Sequence, residues 1–342
     1  MAGNSGSLRT YLLVRLALVI PMVWILLSFV FLLMRVAPGD PIQAALGTKV
    51  SPAQIAAKRA AAGYDKPLIQ QYFEYLGQVF RGDFGTTITD NRPVLNVIGQ
   101  TGAATVELTF FALIVALIVG LLGGMLAGRF RDTWFDVGSR LFAIFVYAAP
   151  VFLLGLLGQL IFSVWLGWLP NSGQAGAITQ AFLTTHTHIL VIDALIDGNT
   201  TALGDVLKHL ILPAVTLGLL ISGVFLRLVR VNVIQTLRND YIEAARARGI
   251  GEGRVVLRHA FRNALVPVIT IVGLQAALLL SGAVLTEETF NWPGIGKTLI
   301  DYLNQRDYVA VQGIVTMFAL AVVVISLVID VLNAWADPRM RY

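Results

Sequence analysis

The chain has no cysteine, four histidines in 342 residues and charged side chains at only 13% of positions. The missing cysteine excludes disulfides, thiolate metal sites and a cysteine nucleophile. The shortage of charge excludes a single soluble globule. With 56% hydrophobic residues and a mean hydropathy of +0.75, one core could not hide so much apolar surface from water. No Ser-His-Asp set and no paired metal carboxylates stand at helical spacing in the apolar stretches, which argues against an intramembrane hydrolase. The net charge of +5 does not point to nucleic acid, because the basic residues are arginine clusters beside apolar stretches, the pattern that sets membrane topology.

What remains is an all-α, polytopic membrane protein. A spanning helix needs about 20 mostly apolar residues. Windows at 16–34, 104–128, 141–164, 209–229, 265–286 and 310–332 supply six. The first follows Arg9 and Arg15 and reads as a retained signal anchor, longer than a signal core and with no small-x-small cleavage site after it. Residues 35–103 are expected to form a folded outer appendage. It opens with the turn signals Pro38-Gly39-Asp40-Pro41. A helix over Ser51–Ala62 follows, with Ser51 as N-cap and Pro52 at the first helical position. A second helix, Pro67–Phe80, presents Tyr72, Tyr75, Leu76, Val79 and Phe80 as an apolar face. Glycines 120, 123, 124 and 128 permit close helix approach in the second window. Pro150 kinks or opens the third.

Arginine fixes the expected sidedness. The N-terminus 1–15, the loops 129–140 and 230–264 and the tail 333–342 lie inside. The outer loops are 165–208 and 287–309, and no Lys or Arg occurs between Pro170 and Asp205. Both termini are thus expected in the cytoplasm, the chain crossing the membrane six times.

The inner loop holds an island of charge, six arginines and three acids from Arg238 to Arg262. Asp240 to Arg248 can form a short helix with Ala244 and Ala245 as an outward small-residue face, broken at Gly249-Ile250-Gly251-Glu252-Gly253. A second helix then places Arg254, Arg258 and Arg262 in one row, with Leu257, Phe261 and Leu265 beside it. Such a pair of helices is either a surface another protein grips or a basic loop held to anionic headgroups.

Glu243-Ala244-Ala245 followed by Gly249 resembles the EAA loop of ABC-type importer permeases. The general pattern's Leu-Pro would fall at Phe261-Arg262. Here the proline comes later, at Pro267, a variant similar to the dipeptide and oligopeptide branch. Pro38-Gly39-Asp40-Pro41, Arg81-Gly82-Asp83-Phe84-Gly85, Thr105-Val106-Glu107-Leu108, His209 to Ala214, Trp292-Pro293-Gly294-Ile295-Gly296, Arg306-Asp307-Tyr308 and Asp337-Pro338-Arg339 extend the likeness over almost the whole chain. With its large outer appendage, the chain is similar to the first permease subunit of such systems. The resemblance implies a type I ABC importer permease fold and a coupling site at Glu243, Ala244, Ala245, Arg246, Arg248 and Gly249. It also implies four kinds of neighbour: a second homologous permease, two ATP-binding subunits, an outer substrate-binding protein and membrane lipid. The chain has no Walker motif and no cofactor of its own, so ATP and magnesium would belong to the partner subunits.

Gly294-Ile295-Gly296-Lys297-Thr298 imitates the end of a P-loop, but Asn291 stands where the first glycine is needed and the segment is expected outside. His186, His188 and Asp193 read as solvated rather than as metal ligands. Glu107 and Asp330 fall in or near spans, where charge is costly. Either contacts substrate or a proton, or pairs with an arginine such as Arg140 or Arg227. Gln159, Gln275 and Ser281 are candidate polar lining of a substrate path. An ion-coupled secondary carrier using Glu107 and Asp330 is the competing class, though the inverted repeats such carriers often show are absent.

Overall fold

The computed structural model describes residues 8–36, 51–61 and 63–336. The expected turn at Pro38–Pro41 and the tail at Asp337–Arg339 lie outside the described residues. Helices account for the architecture: α1 Leu8–Val36, α2 Pro52–Ala61, α3 Leu68–Phe80, α4 Val94–Arg129, α5 Trp134–Ala148, α6 Val151–Gly158, α7 Ala177–Phe182, α8 Leu190–Ile196, α9 Thr200–Leu237, α10 Asp240–Ala247, α11 Glu252–Arg254, α12 Phe261–Thr289, α13 Ile295–Asn304 and α14 Tyr308–Ala336. Among the described residues, extended pairing is limited to a single Thr86–Pro93 bridge. In lipid an unpaired backbone group has no water to bond to, so an apolar chain of this kind closes its hydrogen bonds within helices.

Four helices are long and apolar enough to cross a membrane among the described residues: Leu16–Arg35, Val94–Arg129, Thr200–Leu237 and Tyr308–Val328. The expected third window, 141–164, is not one straight span. Trp134–Ala148 and Val151–Trp165 pass the same test together but meet at 106°. Pro150 explains the break, since it lacks an N–H and pushes Ala149 out of the helical region, to φ −72°, ψ 136°. The chain then widens into a π-helical segment at Gln159–Trp165. The expected fifth window falls within α12, which continues through Pro267.

The chain divides into two units, Met1–Gly102 with Ile295–Tyr342, and Ala103–Gly294. In the first unit the appendage is braced on apolar helices rather than standing alone. Ser51 and Gln54 exchange backbone-to-side-chain bonds at the start of α2, a reciprocal capping box. On α3, Tyr72, Tyr75, Leu76 and Val79 cover Leu27 and Phe31 of α1. Phe31 stacks on Tyr75 at 5.7 Å, and the Tyr75 hydroxyl meets Thr316 Oγ1 of α14 at 2.7 Å. Phe80, expected on that face, is instead 82% exposed, because the helix ends there and the chain turns away at Arg81. The Arg306-Asp307-Tyr308 motif is a latch. Asp307 is buried and accepts from Ile88 N (2.6 Å), Thr89 N (2.9 Å) and Thr89 Oγ1 (3.1 Å), while its other oxygen caps α14 through Ala310 N at 3.1 Å. Beside it, the Tyr302 hydroxyl donates to Asp90 at 3.1 Å. Burial, and after it this bond to Asp90, pushes the Tyr302 phenol up to about 12.

The second unit is built around α9, the most buried of the spanning helices. Its core runs from Leu210 through Leu217 and Phe225 to Val233, packed on Leu108, Ala112 and Ala116 of α4 and on Ala260 to Ala283 of the α12 side. Contact with α4 is close because α4 carries glycines. A Cβ on Gly124 would lie 2.6 Å from Leu226 O, and one on Gly128 would lie 2.7 Å from Val233 Cγ1. Gly218 of α9 answers from the other side, within 2.5 Å of Ala112 O for the same added atom. Trp292, expected in an outer turn, is wholly buried and donates from Nε1 to Ala104 O at 2.9 Å.

Gly124→Val should force α4 and α9 apart and cost about 1–3 kcal/mol or more by overpacking. Gly138→Ala, where an added Cβ meets nothing within 4 Å, is the matched control. Thermal unfolding of the two purified variants in detergent measures the difference, with only the first expected to lose stability. Asp307→Asn turns an amide N–H₂ towards backbone N–H donors and should cost about 1–3 kcal/mol. Hydrogen exchange at Ile88 and Thr89 should rise in that variant.

Candidate functional site

At the foot of α9 the chain caps at Arg238 and restarts at once as α10. Asp240 and Glu243 fall in the first turn of α10 and Arg246 in the last, the charge order that suits a helix dipole. Helix α10 ends in a Schellman motif: Ile250 N donates to Ala245 O at 3.2 Å and Gly249 N to Arg246 O at 2.9 Å. Gly249 has φ +77°, a left-handed conformation costing a side-chain-bearing residue about 1–2 kcal/mol. That is the physical need behind the glycine four residues after Ala245.

Ile242 is fully buried and Ala245 is 8% exposed, so these two seat the helix on the second unit. Glu243, Ala244, Arg246, Arg248 and Gly249 are exposed. The expected outward face of two alanines is therefore corrected: Ala244 faces out and Ala245 faces in, because neighbouring helix positions lie about 100° apart around the axis. Arg246 braces the turn through Glu252, with Nε–Oε2 at 3.0 Å and Nη2–Oε1 at 2.7 Å. The hydrogen bond from Arg246 holds the Glu252 carboxyl below its ordinary range, and the same contact raises the guanidinium. This pair is exposed, so it shapes the turn more than it stabilises the fold. Asn263 Nδ2 donates to Tyr241 Oη at 2.6 Å, tying the start of α10 to the start of α12.

The expected second helix departs from a regular α-helix. After α11 the chain forms a π-helical segment, Val255–Ala260, before α12. Val255, Val256 and Ala260 are buried, and Arg254, Leu257, Arg258 and Arg262 line one exposed groove.

A second anchor joins the 129–136 turn to α9. Asp136 is fully buried and takes both Nε (2.5 Å) and Nη2 (2.7 Å) of Arg230, with Arg140 farther off at 3.9 Å. Asp132 N adds a bond to Asp136 at 3.1 Å. Neither Asp136 nor Arg230 stood out in the sequence beyond its place in an arginine-rich stretch. The arginine forks onto its carboxylate as Arg246 does onto Glu252, but here the carboxylate is buried.

Of the path candidates, Glu107 and Gln159 are each held by protein partners. Glu107 is 2% exposed and meets no arginine among the described residues; its two oxygens accept from Val191 N at 2.8 Å and Gln174 Nε2 at 2.5 Å, fastening the 170–199 loop. Gln159 donates to Asn171 O at 2.7 Å and Thr289 O at 3.0 Å. Gln275 is buried on α12. Ser281 on α12 and Asp330 on α14 have side chains outside the described residues. In the 165–208 loop, His186 Nε2 lies 2.9 Å from Asp197 Oδ1, and Asp193 takes both donors of Thr187.

Comparison with known proteins places this arrangement. A family model described as binding-protein-dependent transport system inner membrane component matches residues 120–342, and its N-terminal companion matches residues 8–109. The chain is 38% identical to the dipeptide transport system permease protein of Alkalihalophilus pseudofirmus over 97% of this chain and 99% of that one. It is 39% identical to the di/tripeptide transport system permease protein of Pseudomonas aeruginosa over 96% and 97%. It is 35% identical to the glutathione transport system permease protein of Escherichia coli over 97% and 99%. The glycine-ended helix below a buried central span is thus part of a permease, and the chain belongs to the family of binding-protein-dependent transport system inner membrane components.

Proposed function

We propose that this chain is the transmembrane permease subunit of an ATP-driven importer of di- and oligopeptides, with α10 as the point where separate ATPase subunits act. The observation that carries the reading is the construction of α10. It presents Glu243 and Ala244 outward, buries Ile242 and Ala245, and ends at a glycine that only a left-handed residue can replace without strain.

A push on α10 reaches the spans through short, stiff links. Ile242 and Ala245 press on the second unit, Arg238 and Asn239 join α10 to α9 within two residues, and Tyr241–Asn263 joins it to α12. The Asp136–Arg230 pair extends the same rigid group to the 129–136 turn. Packed interfaces of this kind shift as units rather than deform, so a partner's motion at α10 would re-aim α9 and α12 together. A second, homologous permease would complete the path, and an outer substrate-binding protein would deliver the peptide. The whole would sit in a bacterial cytoplasmic membrane with both termini on the ATPase side. A short-peptide substrate follows from the relatives, named for dipeptides, tripeptides and glutathione. Glu107 has both oxygens occupied by protein donors, which leaves it poorly placed to carry an ion in a secondary carrier.

The test is peptide uptake by the complex reconstituted in liposomes. Gly249→Val strains the turn and Glu243→Lys reverses the outward charge. Each should lower ATP-dependent uptake at least about tenfold while the complex still inserts, since losing about 1.4 kcal/mol of coupling is a tenfold effect. Normal transport-coupled ATP turnover in both variants would sink the proposal.

A further inference from the structure

We propose that Arg254, Arg258 and Arg262 form a binding site for the phosphate of an anionic phospholipid headgroup, separate from the α10 surface.

The three arginines line a groove of about 520 Å³ together with Gly253 and Leu257, and no carboxylate lines it. Arg246, Arg230 and Arg140 each have an acid within 4.0 Å; among the described residues Arg254, Arg258 and Arg262 have none. Their alignment comes from the backbone. A four-residue step overshoots one turn of an α-helix and falls short of one turn of the wider π-helix. Passing from the Val255–Ala260 π segment into α12 therefore sets the two offsets against each other and keeps residues 254, 258 and 262 in one row. Val255, Val256, Ala260 and Ala264 are buried on the opposite side, which fixes the row facing out.

Such a row is unfavourable without an anion. The three like charges, four residues apart along one face, repel one another. A phosphate answers that repulsion, because guanidinium groups grip it in a fork. Membrane lipid is the source the surroundings favour. Leu257, in the same groove, is 59% exposed, and Ile269 is exposed farther along α12, so apolar surface continues from the groove along a membrane-length helix. A headgroup with acyl chains uses both the arginines and this stripe; a free phosphate ion uses only the first.

The experiment takes the assembled complex with its ATPase subunits. Co-purifying lipid is identified by mass spectrometry, and thermal stability is read during titration with phosphatidylglycerol, phosphatidylcholine or inorganic phosphate. The wild type should retain anionic lipid and be stabilised by phosphatidylglycerol alone. The variant Arg254→Gln/Arg258→Gln/Arg262→Gln should bind it at least about tenfold more weakly, given the contribution of each basic residue at an anionic surface. The corresponding triple Lys variant should recover part of that loss. If the triple Gln variant does not assemble, the wild-type titration decides alone: equal stabilisation by phosphatidylcholine or by inorganic phosphate overturns the proposal. It is also overturned if the Gln variant keeps its anionic lipid, or keeps the lipid but loses its ATPase subunits, which would make the groove a protein-docking surface.

Discussion

The glycine seam between α4 and α9 is the constraint on which the second unit depends. Lipid tails are as apolar as leucine, so two helices in a membrane gain little from hiding apolar side chains and must gain from close contact instead. Gly124 and Gly128 on α4 and Gly218 on α9 bring backbone to within touching distance, where an added methyl group would collide with a carbonyl or a valine. That closeness makes α9 a buried central post. Every element argued to matter for coupling is fastened to it: α10 continues from its lower end, α12 packs along it, and Arg230 near its foot grips Asp136.

Much of this was legible in the sequence where the signal is local. The glycines after a short charged helix predict a break, and Gly249 makes it in a left-handed conformation; Ser51 and Pro52 predict a capped helix start, and Ser51 forms the cap with Gln54. Apolar windows are likewise read from composition alone, and most fall on long helices. Family membership was legible too, from the order of many weak motifs.

What was not legible depends on partners far apart in the chain. Glu107 and Gln174, Asp136 and Arg230, and Ile88 and Asp307 meet only after folding, and nothing in their flanking residues announces the match. Glu107 was a natural candidate for substrate or proton handling, yet protein donors occupy both its oxygens. Over a helix as short as α10, periodicity is too brief to say which alanine faces inward. Pro150 signalled a disturbance, but its size, a 106° turn, depends on what packs around it.

The central claim is that Ala244 lies in the contact with an ATPase subunit while Ala245 lies inside the permease. A chain without cysteine lets each be replaced singly and probed with a thiol reagent against no background. The account predicts that Ala244→Cys is labelled in the isolated permease and shielded when ATPase subunits are bound, whereas Ala245→Cys resists labelling in both. Equal labelling of Ala244→Cys with and without the ATPase subunits would contradict it.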